Sequence, residues 1–144
     1  MTKLVLCLLT LLFSLSSPAM KGNAGFWQSS LAAEEGLTLF RGVPGNGTQK
    51  AILGQQGIAI PRGTALDEAS LIKHVLGEDV NAGVTSWTTE RSVAARFSGP
   101  NGTIIEAPLN KVSSQIVPRP PVLKYGGESE VLLKGTIKGN PTIP

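Results

Sequence analysis

The sequence predicts an α+β fold, and two observations support this class. Helical patterns dominate the first half of the region from residue 36 onward, strand patterns dominate its second half, and a strand is expected at each end of the core. No internal repeat or linker divides this region. The 144-residue chain is therefore expected to contain one domain, at residues 36–144, with a few short helices.

The elements are assigned from the spacing of apolar residues and from turn residues. Runs rich in apolar and β-branched residues predict strands, and apolar residues three or four positions apart predict helices. Thr88 or Thr89 is expected to cap the helix that follows the segment 84–89. In chain order, we expect a strand at 37–43, helices at 49–56, 67–76 and 90–97, and strands at 103–107, 112–117 and 131–137.

The first 19 residues have the pattern of a cleavable secretory signal peptide. Lys3 supplies a short positive region, residues 4–13 are apolar, and residues 17–19 place small side chains where a signal peptidase reads them. The apolar run is too short to span a membrane. We therefore expect a secreted protein, extracellular or periplasmic, that leaves the membrane after cleavage and begins with an N-terminal leader at 20–35.

Composition limits the partners and cofactors of the mature chain. Cys7 is the only cysteine and lies within the signal peptide, so no disulfide, cysteine nucleophile or thiolate metal ligand is expected afterwards. The net charge is +3, and the 13 Lys and Arg residues are scattered, which does not fit a nucleic-acid footprint. We expect a monomer that binds neither nucleic acid nor a metal ion.

Two carboxylates stand close together near the end of the chain. Glu128 and Glu130 are two residues apart, after a Gly-Gly turn and before an apolar run. If this segment is extended, both side chains project to the same side of the sheet. Adjacent like charges rarely add stability, so the pair suggests a chemical role. The alternative is a solvated strand end.

Two further motifs precede this pair. An arginine and a glycine occur in the first predicted strand, and a Ser-x-Thr unit leads into a helix that ends with an aromatic residue. In order, the three motifs are Phe40-Arg41-Gly42, Ser86-Trp87-Thr88 with Phe97 at the end of its helix, and Glu128-Ser129-Glu130.

The order and spacing of these motifs resemble the Arg-Ser-Glu class of mono-ADP-ribosyltransferases, which includes cholera-toxin-like, C3-like and binary-toxin enzymes and many small bacterial toxin domains. The resemblance covers roughly residues 36–137 and implies a split, mostly antiparallel β-sandwich core of the ADP-ribosyltransferase type. The sequence departs from the class in two ways. Trp87 replaces the middle residue of the usual Ser-Thr-Ser, and the domain is short.

A second branch of this superfamily uses histidine and tyrosine in place of arginine and serine, and this chain does not match it. The only histidine, His74, lies in a predicted helix, where we expect a surface or helix-end position without a partner in the motif pattern. The only tyrosine, Tyr125, lies beside the last motif, where the class recognises its protein target.

The resemblance implies NAD as substrate and assigns a catalytic role to four residues. Glu130 stabilises the cationic ribose of an oxocarbenium-like transition state and binds its 2′-hydroxyl. Glu128 orients the acceptor, and a glutamate at this position implies an arginine acceptor. Arg41 binds the NAD pyrophosphate, and Ser86 holds the Glu130 carboxylate in place. The alternative for Arg41 is an ordinary strand arginine or an ion pair with the leader.

The same resemblance implies a cofactor-binding set that adds three residues to Arg41, Ser86 and Glu130. Gly42 accompanies Arg41, Thr88 completes the Ser-x-Thr unit, and Phe97 packs over nicotinamide. Two alternatives stay open, namely that Thr88 only caps the following helix and that Phe97 is ordinary core. We expect Trp87 to be core, because it alternates away from Ser86 in an extended segment.

The resulting expectation is a secreted mono-ADP-ribosyltransferase that acts as a toxin or effector, and thus as a virulence factor, on an arginine of a target protein. An immunity or delivery partner would fit this role. Three alternatives remain: an NAD glycohydrolase, a non-catalytic binding module with the same fold, and an unrelated secreted α+β domain that matches the motifs by chance.

Overall fold

A computed structural model describes residues 36–78, 81–121 and 129–144. The predicted signal peptide, the predicted leader, Tyr125 and Glu128 lie outside these ranges, so the expectations for them stay predictions. Within the described ranges, none of the helices has the length and apolarity needed to cross a lipid bilayer.

The described part of the chain folds into a mostly antiparallel six-stranded sheet with four short helices, which confirms the α+β class. The strands are β1 Thr38–Val43, β2 Ile58–Ala59, β3 Val84–Thr88, β4 Thr103–Pro108, β5 Ile116–Val117, β6 Glu130–Lys134, β7 Ile137–Lys138 and β8 Asn140–Thr142. The helices are α1 Gln49–Gln55, α2 Glu68–Val75, α3 Arg91–Ser98 and α4 Leu109–Val112, with a 3₁₀ turn at Ser113–Gln115.

The strand order of the large sheet is β5-β6-β3-β1-β4-β8, and β2 pairs with β7 in a separate small sheet. β1 is paired with β4 from Thr38 opposite Pro108 to Val43 opposite Thr103. In contrast, β1 meets β3 at one pair, Phe40 opposite Thr88. The two central strands therefore separate beyond this point, and the sheet opens between them.

Two clusters of buried apolar residues hold the layers together. The larger one joins the central strands to the small sheet and to α4, and it includes Leu39, Trp87, Ile105, Leu133 and Ile137. The smaller one lies under α2 and consists of Leu71, Val75, Ala82, Val84 and Leu132. Burial of each such side chain stabilises the folded state by about 1.5–3 kcal/mol, so these clusters fix the position of α2 and of the small sheet.

Trp87 belongs to the larger cluster, as expected. It is 2% exposed, and its Nε1 donates a hydrogen bond of 2.8 Å to the Thr85 hydroxyl. Because a buried indole N–H needs an acceptor, this bond explains how β3 tolerates a tryptophan at its centre. The departure from Ser-Thr-Ser therefore serves the core of this small domain.

Two of the sequence expectations on strands were wrong in part. The segment 112–117 is a strand only at Ile116–Val117, because Leu109 and Val112 are three residues apart and are buried together as one helical face. The segment 131–137 is not one strand. Gly135 has a φ of +72°, so the chain turns there and passes from the large sheet into the small one.

The helix caps differ from expectation at α3. Thr88 and Thr89 are not the N-cap, because Glu90 holds that position and its side chain makes no capping hydrogen bond. The Thr88 hydroxyl accepts a hydrogen bond of 3.1 Å from the Glu90 N–H instead. Thr88 thus satisfies one backbone donor in the turn before the helix.

Gly42 is required where α3 crosses β1. A Cβ atom at this position would lie 2.0 Å from the Ala94 carbonyl oxygen and 2.7 Å from the Ser98 nitrogen, both backbone atoms. We therefore expect Gly42→Ala to lower the free energy of unfolding by about 1–3 kcal/mol through overpacking, measured by thermal or urea denaturation.

Gly36→Ala is the matched control for this substitution. Nothing lies within 4 Å of a Cβ at Gly36, so only its positive φ of +101° opposes a side chain. A cost of about 1–2 kcal/mol is expected there. An increase in stability on Gly42→Ala would contradict the close packing of α3 on β1.

Candidate functional site

A cavity of about 190 Å³ lies where β1 and β3 separate. The apolar part of its lining includes Ile60 and Val84. The polar part comes from two strands, two helices and the loop after β2, and consists of Arg41, Lys50, Arg62, His74, Thr85 and Ser86. The cavity brings together two of the predicted site residues, Arg41 and Ser86, which are 45 positions apart in the sequence.

Arg41 reaches across the gap between the strands. Its Nη1 donates a hydrogen bond of 2.6 Å to the backbone carbonyl of Ser86, a group that lies where β3 has no further pairing with β1. Its Nε is buried and has no hydrogen-bond partner among the described residues. Since buried donors are almost always paired in native proteins, this N–H is a candidate ligand contact.

The surroundings of Arg41 destabilise the charged form of its guanidinium. Burial lowers the pKa of Arg41 to about 10, and the nearby charge of Arg62 adds to the effect. The group still carries its charge at neutral pH. An anion in the cavity would offset much of the desolvation penalty of the Arg41 charge. The arrangement therefore favours the binding of a negatively charged group.

Lys50 adds a third cation to the cavity. Much of its side chain is exposed, yet partial desolvation of the amino group, followed by the charges of Arg41 and Arg62, lowers the pKa of Lys50 to about 8. No carboxylate belongs to the described lining of the cavity. Three cations without a counter-charge create a positive potential that favours phosphate or another multiply charged anion.

The Ser86 hydroxyl is engaged by a histidine that the motif pattern did not include. Its Oγ lies 2.9 Å from Nε2 of His74, which is in the last turn of α2. The expected helix-end position of His74 is confirmed, but the expectation that it has no partner among the motif residues was wrong. The helical spacing contained a signal, because Leu71 is buried and His74, three residues later on α2, is its neighbour on the helix surface.

Glu130 begins β6 directly opposite Thr88, and Ser86 is opposite Leu132. Facing residues of an antiparallel pair share one side of the sheet, so Glu130 and Ser86 are diagonal neighbours about 7–8 Å apart at their backbones. Glu130 is not part of the cavity lining in the described residues. The structure thus places Glu130 beside the cavity, one diagonal step from Ser86.

The Glu130 carboxylate is paired with an arginine that sequence reasoning missed. Arg119 Nε donates to Glu130 Oε2 at 2.8 Å, and the two side chains are 30% and 18% exposed, respectively. A largely buried ion pair of this kind fixes the carboxylate in one orientation. No local pattern indicated it, because Arg119 stands in a proline-rich segment without periodicity.

The residue before Glu130 has an unusual backbone conformation. Ser129 has a φ of +40°, and it is the only non-glycine residue with positive φ in the part of the chain that the structure describes. Its hydroxyl donates to Glu90 Oε1 at 3.2 Å. This conformation costs an L-residue about 1–2 kcal/mol. It bends the chain at Ser129. The extended alternation that we assumed for the glutamate pair therefore does not hold at this residue.

The remaining predicted cofactor residues have distinct surroundings. Thr88 is 6% exposed, and its hydroxyl accepts from the Glu90 N–H in the turn before α3, so Thr88 is not the cap of that helix. Gly42 lies against the backbone of α3. Phe97 is 57% exposed, so the alternative of ordinary core packing was wrong. Thr88, Gly42 and Phe97 do not belong to the described lining of the cavity.

In the described ranges, no three His, Cys, Asp or Glu residues are grouped so that they could hold a metal ion. No model of a known protein family, no curated protein and no solved structure matches this chain.

Proposed function

We propose that this protein is an NAD-dependent mono-ADP-ribosyltransferase that modifies an arginine of a target protein. One observation carries the proposal. Arg41 lies in a cavity with two further cations and no described counter-charge, its buried Nε lacks a described partner, and it contacts Ser86 of the second motif. This arrangement suits the pyrophosphate of NAD, held beside the motif serine.

The cation set explains how a dinucleotide would be held. A pyrophosphate presents acceptor oxygens on both phosphates, and a guanidinium binds such oxygens with two parallel hydrogen bonds. Arg41 Nε is suited to this contact, while Lys50 and Arg62 supply further charge. The separation of β1 and β3 also supports the split sheet that the proposed fold requires.

Glu130 supplies the chemistry in this proposal. The bond between C1′ of the ribose and the nicotinamide nitrogen breaks, and nicotinamide leaves with the bonding electron pair. The carboxylate stabilises the developing positive charge on the ribose and accepts a hydrogen bond from its 2′-hydroxyl. A guanidino nitrogen of the acceptor then bonds to C1′ and loses a proton. The 2.8 Å hydrogen bond from Arg119 orients the Glu130 carboxylate toward the ribose in this proposal.

Two alternative functions are an NAD glycohydrolase, in which water replaces the guanidino group, and a non-catalytic binding module. Trp87 and the short length of the domain are the sequence arguments for the non-catalytic module. The Trp87 side chain is buried in the larger cluster and hydrogen-bonded to Thr85, so it does not fill the cavity. The argument against activity from Trp87 is therefore weakened.

The biological setting follows as part of the proposal. A secreted enzyme of this kind would act as a toxin or effector on a protein of another cell. Its delivery and any immunity partner would come from other chains.

Transfer and hydrolysis can be separated in one experiment. The purified protein is incubated with NAD and a small guanidino compound, and nicotinamide, ADP-ribose and the guanidino adduct are quantified by liquid chromatography and mass spectrometry. We expect the adduct, and we expect Glu128→Gln to reduce it while nicotinamide release persists. Nicotinamide and free ADP-ribose without any adduct would favour the glycohydrolase.

The Lys50 amino group gives the cavity a predictable pH dependence. Its pKa of about 8 means that its charge is present below this pH and is lost as the pH rises. We expect the affinity for ADP-ribose, whose pyrophosphate keeps its charge, to fall about twofold to fivefold between pH 7 and pH 9.5. Isothermal titration calorimetry measures this change.

Lys50→Arg is the control for this titration, because a guanidinium keeps its proton across the range. The affinity of this variant is expected to fall less than that of the original protein, with the remaining fall due to Arg41, whose pKa is about 10. An equal fall in both proteins would show that Lys50 does not contact the ligand.

A further inference from the structure

We infer that His74 is a positioning residue for Ser86: an imidazole that carries a proton on Nε2 donates to the Ser86 hydroxyl, which leaves the serine proton for the bound substrate or for Glu130. The inference rests on the proposed function for the identity of the substrate. The geometry that supports it is independent of that identity, since His74 Nε2 and Ser86 Oγ are 2.9 Å apart at the edge of the cavity.

The direction of this hydrogen bond decides what Ser86 can do. A serine hydroxyl has one proton and two acceptor sites, and a neutral imidazole donates from one nitrogen and accepts at the other. If His74 accepts the hydrogen bond, Ser86 donates its only proton to His74 and cannot donate to another group. If His74 donates, Ser86 keeps its proton for a second partner.

The charges around the cavity select between these cases. Arg41, Lys50 and Arg62 are donors and favour an anionic ligand, whose oxygens only accept hydrogen bonds. A Glu130 carboxylate also only accepts. Ser86 can therefore contact either group only as a donor, which requires a proton on His74 Nε2.

The chain offers a direct way to observe this proton. His74 is the only histidine among the 144 residues, so every imidazole signal belongs to it. Nitrogen-15 spectra of the ring distinguish the two neutral tautomers and the imidazolium. We expect the Nε2–H tautomer in the ligand-free protein, and we expect Ser86→Ala to shift the Nε2 signal. An unprotonated Nε2 at neutral pH would overturn the inference and would make the pair resemble a serine nucleophile with its base.

Two substitutions test the functional consequence. The amide nitrogen of glutamine can reach the position of Nε2, whereas that of asparagine falls short. We expect His74→Gln to keep kcat for nicotinamide release within about threefold of the original, and His74→Asn to lower it by about tenfold, which corresponds to one lost hydrogen bond. Thermal unfolding of both variants separates this effect from a loss of folding.

The outcomes distinguish this inference from the proposed function. Absence of nicotinamide release by the unmodified protein, together with the Nε2–H tautomer and its response to Ser86→Ala, would remove the transferase but keep the positioning role. Normal nicotinamide release with equal kcat in both His74 variants would remove the positioning role but keep the transferase.

Discussion

Glu130→Gln is expected to slow nicotinamide release from NAD by about a hundredfold or more. The substitution keeps the size of the side chain but removes the negative charge that we propose stabilises the cationic ribose, a loss on the order of 3 kcal/mol in transition-state stabilisation. Binding of ADP-ribose, which lacks the bond that breaks, is expected to change little. The measurement is the steady-state rate of nicotinamide release at saturating NAD.

The fold supplies a matched control for this variant. Glu106 on β4 is also a carboxylate paired with an arginine, since Arg91 Nε lies 3.3 Å from its Oε1. Glu106→Gln removes a comparable ion pair outside the cavity and is expected to leave the rate unchanged. If both variants lose activity equally, or if neither does, Glu130 does not have the catalytic role.

Arg41→Gln is expected to weaken the binding of ADP-ribose and NAD by about tenfold to a hundredfold. The substitution removes the guanidinium whose Nε has no described partner, and a hydrogen bond to a charged group contributes about 1.5–3 kcal/mol. Calorimetry with ADP-ribose measures the loss directly. Arg41→Lys is expected to restore only part of it, because an ammonium cannot make two parallel contacts.

The effect of this substitution on stability is expected to be smaller than its effect on binding. Arg41 donates to the Ser86 carbonyl at 2.6 Å, and losing that donor destabilises the gap between β1 and β3. Removing a desolvated charge beside Arg62 opposes this cost. Arg96→Gln, at an exposed position on α3, is the control and should alter neither binding nor stability. Unchanged ADP-ribose affinity in folded Arg41→Gln protein would contradict the assignment of the cavity.

Local signals were sufficient for much of the fold. α2 is flanked by Asp67, whose carboxylate accepts from the Ser70 N–H at 3.0 Å, and by Gly77 with a φ of +77°. Asp67 is a helix start signal and Gly77 is a helix stop signal. Each acts within a few residues, so the helix could be predicted from them. β1 and β4 are rich in apolar and β-branched residues, so they too could be predicted from residues close together in the sequence.

The errors arose where tertiary contacts decide the structure. The segment 112–117 was predicted as a strand, but Val112 is buried in the larger cluster together with Leu109 on one helical face. The division of the last strand at Gly135 follows from the pairing of β7 with β2, a partner about 80 residues earlier that no local pattern reveals.

The site was predicted in part for the same reason. Arg41, Ser86 and Glu130 were identified by the motif order, and the structure brings the first two to one cavity with Glu130 beside it. Lys50 and Arg62 looked like scattered surface cations, because only the packing of α1 and the loop after β2 brings them to Arg41. Charge clusters built from distant segments cannot be seen in the order of residues.

Nicotinamide release by the unmodified protein is the most direct test of the central claim, that this cavity cleaves NAD. The purified protein is incubated with NAD, with and without a guanidino acceptor or a lysate of potential targets, and free nicotinamide is followed over time. We predict release that is fastest with an acceptor and that is lost in Glu130→Gln. No release under any of these conditions, from protein that is folded and binds ADP-ribose, would contradict the account.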